Sequence, residues 1–306
     1  MNRFPGATGW SKLWQYLHPQ YRQCMSCAHS IPSSSGYDGL CYTCASQIPW
    51  ITQPHCKICG RSIDCPDCRR QEMGRRYFWL NRSAVRYNAD IRSWMAAYKY
   101  RGNERYEGLF GQLIIEGYYR LQAELSHYCG QKWSPVWITA VPASTNRLQE
   151  RGFDQAEQMA CRLAAALKLP YLPLLQRNKQ TVKQSEQGRQ ERIRNMTGVF
   201  SYSATASSLL HKQLYPFHKQ NIVGASSYSI EPTRPIYTNS ALKPAGTQAS
   251  RNEQYVAVND KTIPILLIDD IYTTGSTINN CAIALHELGK QCHMQFQIIS
   301  LTCARS

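Results

Sequence analysis

One short stretch in the last fifth of the sequence constrains the fold more than any other. The run from Ile263 to Ile268 is apolar apart from one proline and shows no polar alternation. Such a run predicts a parallel strand that is buried on both faces. The acids Asp269 and Asp270 follow it, and an amphipathic helical pattern begins at Ile278 after a short polar loop. A strand, loop and helix in this order predict an α/β fold.

The loop between that strand and that helix has the composition of an anion site. It consists of Thr273, Thr274, Gly275, Ser276 and Thr277. Free backbone N–H groups and the positive end of the helix point at whatever lies above such a loop, and glycine lets the backbone approach closely. A phosphate fits, and the two preceding carboxylates suit ribose hydroxyls or a magnesium ion. The alternative is an ordinary polar turn between a strand and a helix.

The first 68 residues contain four Cys-x-x-Cys pairs, which is the spacing of metal sites in a reducing compartment. The eight cysteines are Cys24, Cys27, Cys41, Cys44, Cys56, Cys59, Cys65 and Cys68. Pairing of neighbours predicts one zinc ion on the first four cysteines and a second on the last four, and an interleaved pairing is the alternative. Because four thiolates leave no open position on zinc, both ions would be structural.

The charge of the chain favours an anionic partner. The formal net charge is +15 and the pI is near 9.3, as is typical of proteins that bind polyanions. Between residues 69 and 105, ten basic residues outnumber three acids and alternate with seven aromatic residues. This composition suits single-stranded nucleic acid. The alternative is that most of the rings belong to the core; the arginines form a solvated face in either case.

A second apolar run, from Val136 to Val141, predicts a central strand. Arg147 and Arg151 follow it, ahead of a predicted helix from Ala156 to Leu167. Arginines in a loop after a core strand are well placed to meet a pyrophosphate. Since the sequence shows no apolar signal segment and no membrane-length apolar run, we expect a cytoplasmic protein without membrane insertion.

The stretch from Ile265 to Thr277 closely resembles the binding signature of type I phosphoribosyltransferases, with apolar residues, two acids and then T-T-G-x-T. The resemblance implies that Asp269 and Asp270 hold the ribose hydroxyls and act at the catalytic centre. It also implies that the loop binds the 5′-phosphate of phosphoribosyl pyrophosphate, with Mg²⁺ if the protein is an active enzyme. Replacing Gly275 by valine should then block the phosphate without unfolding the protein.

Together with the cysteine pairs, the Lys99-Tyr-Arg-Gly102 motif and the Arg151-Gly-Phe-Asp-Gln155 motif, this signature resembles the ComF/GntX family. The resemblance implies a phosphoribosyltransferase-like parallel sheet flanked by helices and preceded by a small double zinc-ribbon module. We expect the zinc ribbons at 20–72 and the phosphoribosyltransferase-like domain at 76–306, with a disordered polar insertion at 201–261. The chain departs from the family pattern at Asp154, where asparagine is usual, and this adds a negative charge near an expected anion site.

Membership of that family implies a role in DNA uptake and utilisation during natural transformation. The expected partners are phosphoribosyl pyrophosphate or another 5′-phosphorylated ligand, single-stranded DNA and DNA-uptake proteins. Two alternatives stay open at this point. One is an active phosphoribosyltransferase in nucleotide metabolism or salvage, and the other is a regulator that senses the metabolite without turning it over.

Overall fold

A computed structural model of the chain describes residues 21–32, 37, 39–63, 65, 68, 76–101, 105–178, 198–220 and 262–306. The strands are β1 (Tyr21–Gln23), β2 (Ser30–Pro32), β3 (Leu80–Arg86), β4 (Trp137–Ala140), β5 (Leu175–Arg177), β6 (Phe200–Tyr202), β7 (Ile263–Tyr272) and β8 (Phe296–Arg305). The helices are α1 (Tyr42–Ser46), α2 (Ala89–Arg101), α3 (Arg105–Cys129), α4 (Thr145–Arg151), α5 (Gln155–Leu167), α6 (Ala206–Gln220) and α7 (Ser276–Gln291).

The core is a parallel sheet of four strands in the order β3-β8-β7-β4. The predicted buried strand is therefore confirmed as β7, and it lies in the interior of the sheet. It continues past the expected end at Ile268, through both acids, to Tyr272. The run at Val136 forms β4 as predicted, but it is the last of the four strands and not a central one. Within the described ranges, a single bridge from Ile138 to Tyr171 continues the sheet beyond it.

Two apolar layers cover the sheet, one on each face, as expected for parallel strands. Helices α2, α3 and α5 pack on the first face, where Leu266 and Ile268 of β7 are buried. Helix α7 and the β5–β6 hairpin pack on the second face, where Ile265 and Leu267 are buried. Successive residues of β7 alternate between the layers because strand side chains have a period of two.

The cysteine-rich segment at residues 21–68, here called the cysteine module, continues the sheet along the outer edge of β3. Trp50 forms an antiparallel bridge with Val85. Around it, the Ile51 N–H donates to Ala84 O at 3.0 Å and the Arg86 N–H donates to the carbonyl of residue 49 at 2.8 Å. The module therefore packs against the core through backbone hydrogen bonds.

The predicted insertion at 201–261 begins too early. Residues 200–202 form β6, which pairs with β5, and α6 starts at Ala206. Ala206 and Leu210 are fully buried in the second-face core, because the helix places residues four apart on one side. Residues 221–261 lie outside the described ranges.

Candidate functional site

The cysteines form two compact clusters made of neighbouring pairs. The first cysteine cluster is Cys24, Cys27, Cys41 and Cys44, and the second is Cys56, Cys59, Cys65 and Cys68; within each, the four sulfur atoms lie within 4.8 Å of one another. The Cys27 and Cys41 sulfurs are 3.7 Å apart, and those of Cys59 and Cys65 are 3.4 Å apart. Tetrahedral zinc with Zn–S bonds of about 2.3 Å would hold its sulfurs about 3.8 Å apart. The geometry therefore matches the local pairing, and each cluster could hold a metal ion.

The chemistry of the second cluster also fits a cation. Hydrogen bonding from Cys59 and Cys68 lowers the pKa of Cys56, and the same contact with Cys56 raises the pKa of Cys59 to about 11. Thiols this close cannot all ionise unless a cation lies between them. A structural zinc ion would supply that charge.

The Thr273–Thr277 loop, here called the threonine loop, joins β7 to the amino terminus of α7. Gly275 is the residue before the helix and has a φ of 84°, in the left-handed region that favours glycine. Thr274 Oγ1 lies 2.9 Å from Ser276 Oγ and also accepts a hydrogen bond from the Ser276 N–H at 3.4 Å. Hydroxyls and the helix amino terminus are thus together, as an anion site requires.

Tyr272 supports the loop from below. A Cβ atom added to Gly275 would lie 2.2 Å from the Tyr272 hydroxyl. The Gly275→Val variant would therefore be strained by this clash as well as by its positive φ. This geometry argues against the prediction that Gly275→Val leaves the protein folded. Thr277→Val is therefore the better variant for testing the loop.

The adjacent acids have different surroundings. Burial, and then the neighbouring Asp270 charge, raise the pKa of Asp269 well above its usual value. Asp270 is contacted by the Lys99 ammonium. Although burial alone would raise the pKa of Asp270, Lys99 outweighs it and lowers that pKa. The pair therefore holds one ionised carboxylate and one that resists ionisation.

Two arginine charges act on the acids. The charge of Arg147 reaches Asp270 and lowers its pKa further. Burial, followed by the charge of Arg147, lowers the pKa of Arg177, which is in turn within electrostatic reach of Asp269. Arg151 instead donates from Nη1 to Gln155 Oε1 at 2.8 Å. Arg147 and Arg177 are therefore within electrostatic reach of the acids, whereas Arg151 donates to Gln155 of helix α5.

Asp154 has a structural role at the start of α5. Its Oδ1 accepts from the N–H groups of Ala156 and Glu157 at 2.9 and 3.3 Å, and its Oδ2 accepts from the Ala143 N–H at 2.6 Å. A carboxylate is a good helix N-cap because it satisfies otherwise unpaired N–H groups. The added negative charge is thus used to join the segment after β4 to α5.

The basic segment at 69–105 is only partly a solvated face. Phe78, Trp94 and Tyr98 are buried, so the interpretation of most rings as core is confirmed for these three. The expected solvation is wrong for Arg82, whose Nε and Nη2 donate to Glu124 at 2.6 and 2.5 Å. Lys99, another cation of this segment, pairs with Asp270.

None of the helices in the described ranges is both long and apolar enough to cross a lipid bilayer. No protein-family model matches the chain. The competence protein ComFC of Bacillus subtilis (strain 168) is 25% identical over 259 residues, covering 82% of this chain and 79% of that protein. The competence protein ComFC of Streptococcus pneumoniae (strain ATCC BAA-255 / R6) is 25% identical over 268 residues, covering 85% and 87%. The chain is thus distantly similar to these two competence proteins.

Two cations that interact with the acids, Lys99 and Arg177, were not assigned to the site from the sequence. Lys99 lies in the Lys-Tyr-Arg-Gly motif, which contributes to the family resemblance but does not by itself indicate a role for the lysine. Arg177 ends a three-residue strand, and its guanidinium carbon lies 5.3 Å from the centre of the Phe200 ring. Both approach β7 from distant parts of the chain, so no local pattern could have placed them there.

Proposed function

We propose that this protein is a competence-type protein that acts in DNA uptake, and that the acids of β7 and the threonine loop bind a 5′-phosphorylated ribose such as that of phosphoribosyl pyrophosphate. One observation carries the proposal: the acids and the threonine loop lie together where a buried strand meets a helix amino terminus, and the charges of two arginines act on the acids. The loop suits the 5′-phosphate, and Asp269 is the acid whose carboxylate Lys99 does not contact. Arg147 and Arg177 would face the pyrophosphate.

Two structural zinc ions on the cysteine clusters belong to the proposal. Thiol ligands of this kind persist in reducing compartments, so we propose a cytoplasmic location. Mg²⁺ would accompany phosphoribosyl pyrophosphate and screen its phosphates.

Single-stranded DNA is the second proposed ligand. Among the described residues of the basic segment, Arg86 and Arg92 are exposed cations, and Arg92 lies over the Tyr87 ring at 5.7 Å. Cations beside a ring that a base can stack on support DNA contact at this end of β3 and α2.

The pocket is tested by calorimetry with phosphoribosyl pyrophosphate and Mg²⁺. Thr277→Val removes a hydroxyl at the helix amino terminus with little change in volume. We expect it to weaken binding by roughly tenfold, the effect of one hydrogen bond to a charged group. The control is Thr52→Val, at an exposed threonine of the cysteine module, which should bind as the wild type does. Equal affinities of the two variants would rule out this placement of the phosphate.

The DNA proposal is tested on the same preparation. Binding of single-stranded DNA should weaken steeply with salt, and Arg86→Ala with Arg92→Ala should reduce the slope by about 1–2 units. Lys290→Ala, at an exposed position in the last turn of α7, should leave the slope unchanged. Release of pyrophosphate in the presence of a base, abolished by Asp269→Asn, would instead establish an active transferase.

A further inference from the structure

The second cysteine cluster lies directly behind the threonine loop. Cys59 and Cys65 are buried in the same second-face core as Tyr272 and Ile278. The Phe78 ring packs edge-on against the Tyr272 ring, with 6.5 Å between their centres. The second cluster is part of the packed layer under the loop. Because packed interiors transmit strain, ordering of the cluster by a metal ion can also order the loop.

Arg305 connects the cluster with the loop. It is 5% exposed, and its Nη2 donates to Cys59 Sγ at 3.9 Å. Its Nη1 donates to Tyr272 O at 3.2 Å, and its guanidinium carbon lies 4.8 Å from the centre of the Tyr272 ring. Metal-bound thiolates accept hydrogen bonds from neighbouring groups that also orient them. One buried guanidinium therefore contacts both a metal ligand and the residue before the loop.

Tyr272 completes the connection. Its hydroxyl lies where a Gly275 side chain would begin, so the ring sets how far the loop can drop toward the core. The segment that follows the second cluster is also tied to α7, since the Tyr77 N–H donates to Asn279 Oδ1 at 2.8 Å and the Tyr77 carbonyl lies 2.8 Å from His286 Nε2. Movement of the second cluster would thus shift both Tyr272, which precedes the loop, and α7, which follows it.

We propose that Arg305 and Tyr272 are positioning residues that couple metal binding at the second cysteine cluster to phosphate binding at the threonine loop. This inference rests on the proposed function, since it takes the loop to bind a phosphate and the cluster to bind a metal ion. The first cluster is not coupled in this way. It packs on the first face, where the Tyr106 hydroxyl donates to Met25 O at 3.2 Å.

Coupling between two binding sites is reciprocal, so a ligand at the loop must tighten metal binding at the cluster by the same factor. The experiment follows zinc release from the full-length protein to a colorimetric chelator, with and without phosphoribosyl pyrophosphate and Mg²⁺. Two phases are expected. Because changes in affinity lie mostly in the dissociation rate, the ligand should slow one phase at least about fivefold, the lower end of typical coupling, and leave the other unchanged.

Variants then assign the slowed phase. Cys27→Ser should remove the unaffected phase, and Cys65→Ser should remove the slowed one. Arg305→Met should keep both metal ions but abolish the effect of the ligand on release and weaken ligand binding about fivefold or more. The control is Lys290→Met, at an exposed position of α7. It should behave as the wild type does.

A conservative change separates positioning from bulk stability. Arg305→Lys keeps the charge over Tyr272 but cannot make both contacts, so its coupling should be intermediate even if Arg305→Met does not fold. If calorimetry detects no ligand binding to the wild type, the proposed function fails and this inference fails with it. If the wild type binds the ligand but both phases of zinc release are unchanged, the coupling alone is overturned.

Discussion

On the first face of the sheet, Asp270 lies against the Lys99 ammonium, whereas Asp269 is directed to the second face, within electrostatic reach of Cys281 and Arg177. Each face also carries one cysteine cluster. Features that the sequence presents as matching pairs, two acids and two sets of thiols, thus have different surroundings in the structure.

The difference shows how a buried strand separates adjacent residues. Because side chains alternate along β7, consecutive carboxylates face different layers and have pKa values that shift in opposite directions. One acid is held ionised by a lysine, and the other remains a group that gains a proton readily. A site that needs both a fixed charge and a hydrogen-bonding carboxyl group can therefore be made from two identical residues.

The largest effect that would test the contrast between the faces is expected from metal loss. Cys65→Ser should lower the free energy of unfolding of the second-face core by more than about 4 kcal/mol, as losses of structural metal do, because Cys65 is buried there. Cys27→Ser, at an exposed thiol, should lose one metal ion but leave that core within about 1 kcal/mol. Metal content and hydrogen exchange of the α7 amides measure both quantities. Equal loss of α7 protection in the two variants would contradict the contrast.

The next largest effect concerns Lys99. Lys99→Met leaves the Asp270 carboxylate without its cation, and we expect a loss of about 3 kcal/mol at pH 8. In the wild type the lowered pKa of Asp270 keeps it ionised from pH 6 to 8. In the variant, burial raises the pKa of Asp270, so the destabilisation grows with pH. The difference in free energy of unfolding between the variant and the wild type should therefore be smaller at pH 6 than at pH 8. Denaturant unfolding at both pH values measures it.

Two controls accompany this measurement. Lys290→Met, at an exposed position of α7, should change stability by no more than about 0.5 kcal/mol. Combining Lys99→Met with Asp270→Asn should remove the pH dependence. A gap that is constant with pH would show that packing, and not the charge of Asp270, is responsible.

A smaller effect is expected from Asp154→Asn. The amide oxygen can still cap α5, but the amide nitrogen cannot accept from Ala143, so the variant should lose about 1 kcal/mol. Affinity for phosphoribosyl pyrophosphate should change less than about twofold, because the carboxylate is already occupied by three N–H groups. Calorimetry measures the affinity, and denaturant unfolding measures the stability. A large gain in affinity would mean that the Asp154 charge repels the ligand.

The smallest effect is expected from Tyr272→Phe. The Tyr272 hydroxyl is buried and has no hydrogen-bond partner within the described part of the chain. Its removal should therefore leave stability unchanged or raise it by up to about 1 kcal/mol. Thermal unfolding measures this, with Tyr118→Phe as the control, where the hydroxyl accepts from Gln122 at 2.9 Å and its loss should destabilise. Destabilisation by Tyr272→Phe would indicate a bound group that the hydroxyl contacts.

Much of the second face was predictable from sequence because it is local. The strand, the threonine loop and α7 follow one another along the chain, so their apolar pattern and Gly275 were enough to indicate a βα unit. The cysteine pairs were equally local, and their grouping into two clusters follows from short connections. The parallel sheet of four strands is confirmed, as is the cysteine module before it.

The polar contacts on either face were harder to predict because they join distant segments. Lys99 meets Asp270 across 171 residues, and Arg82 meets Glu124 across 42. The number of basic residues between 69 and 105 does not reveal that Lys99 and Arg82 form ion pairs within the fold. Because β7 extends past its apolar run through both acids, the alternation of side chains places the two acids in different layers. The sequence motif alone does not reveal this.

The hydrogen bonds between the cysteine module and β3 also bear on how the protein behaves without metal. Pro49, Ile51 and Ile58 of the module supply the backbone partners along that strand. If the ions leave and the module opens, the donors and acceptors of β3 become an exposed edge onto which another chain can add a strand. Chelation should then cause self-association at concentrations where the metal-bound protein stays dispersed, so the zinc ions would protect solubility as well as structure.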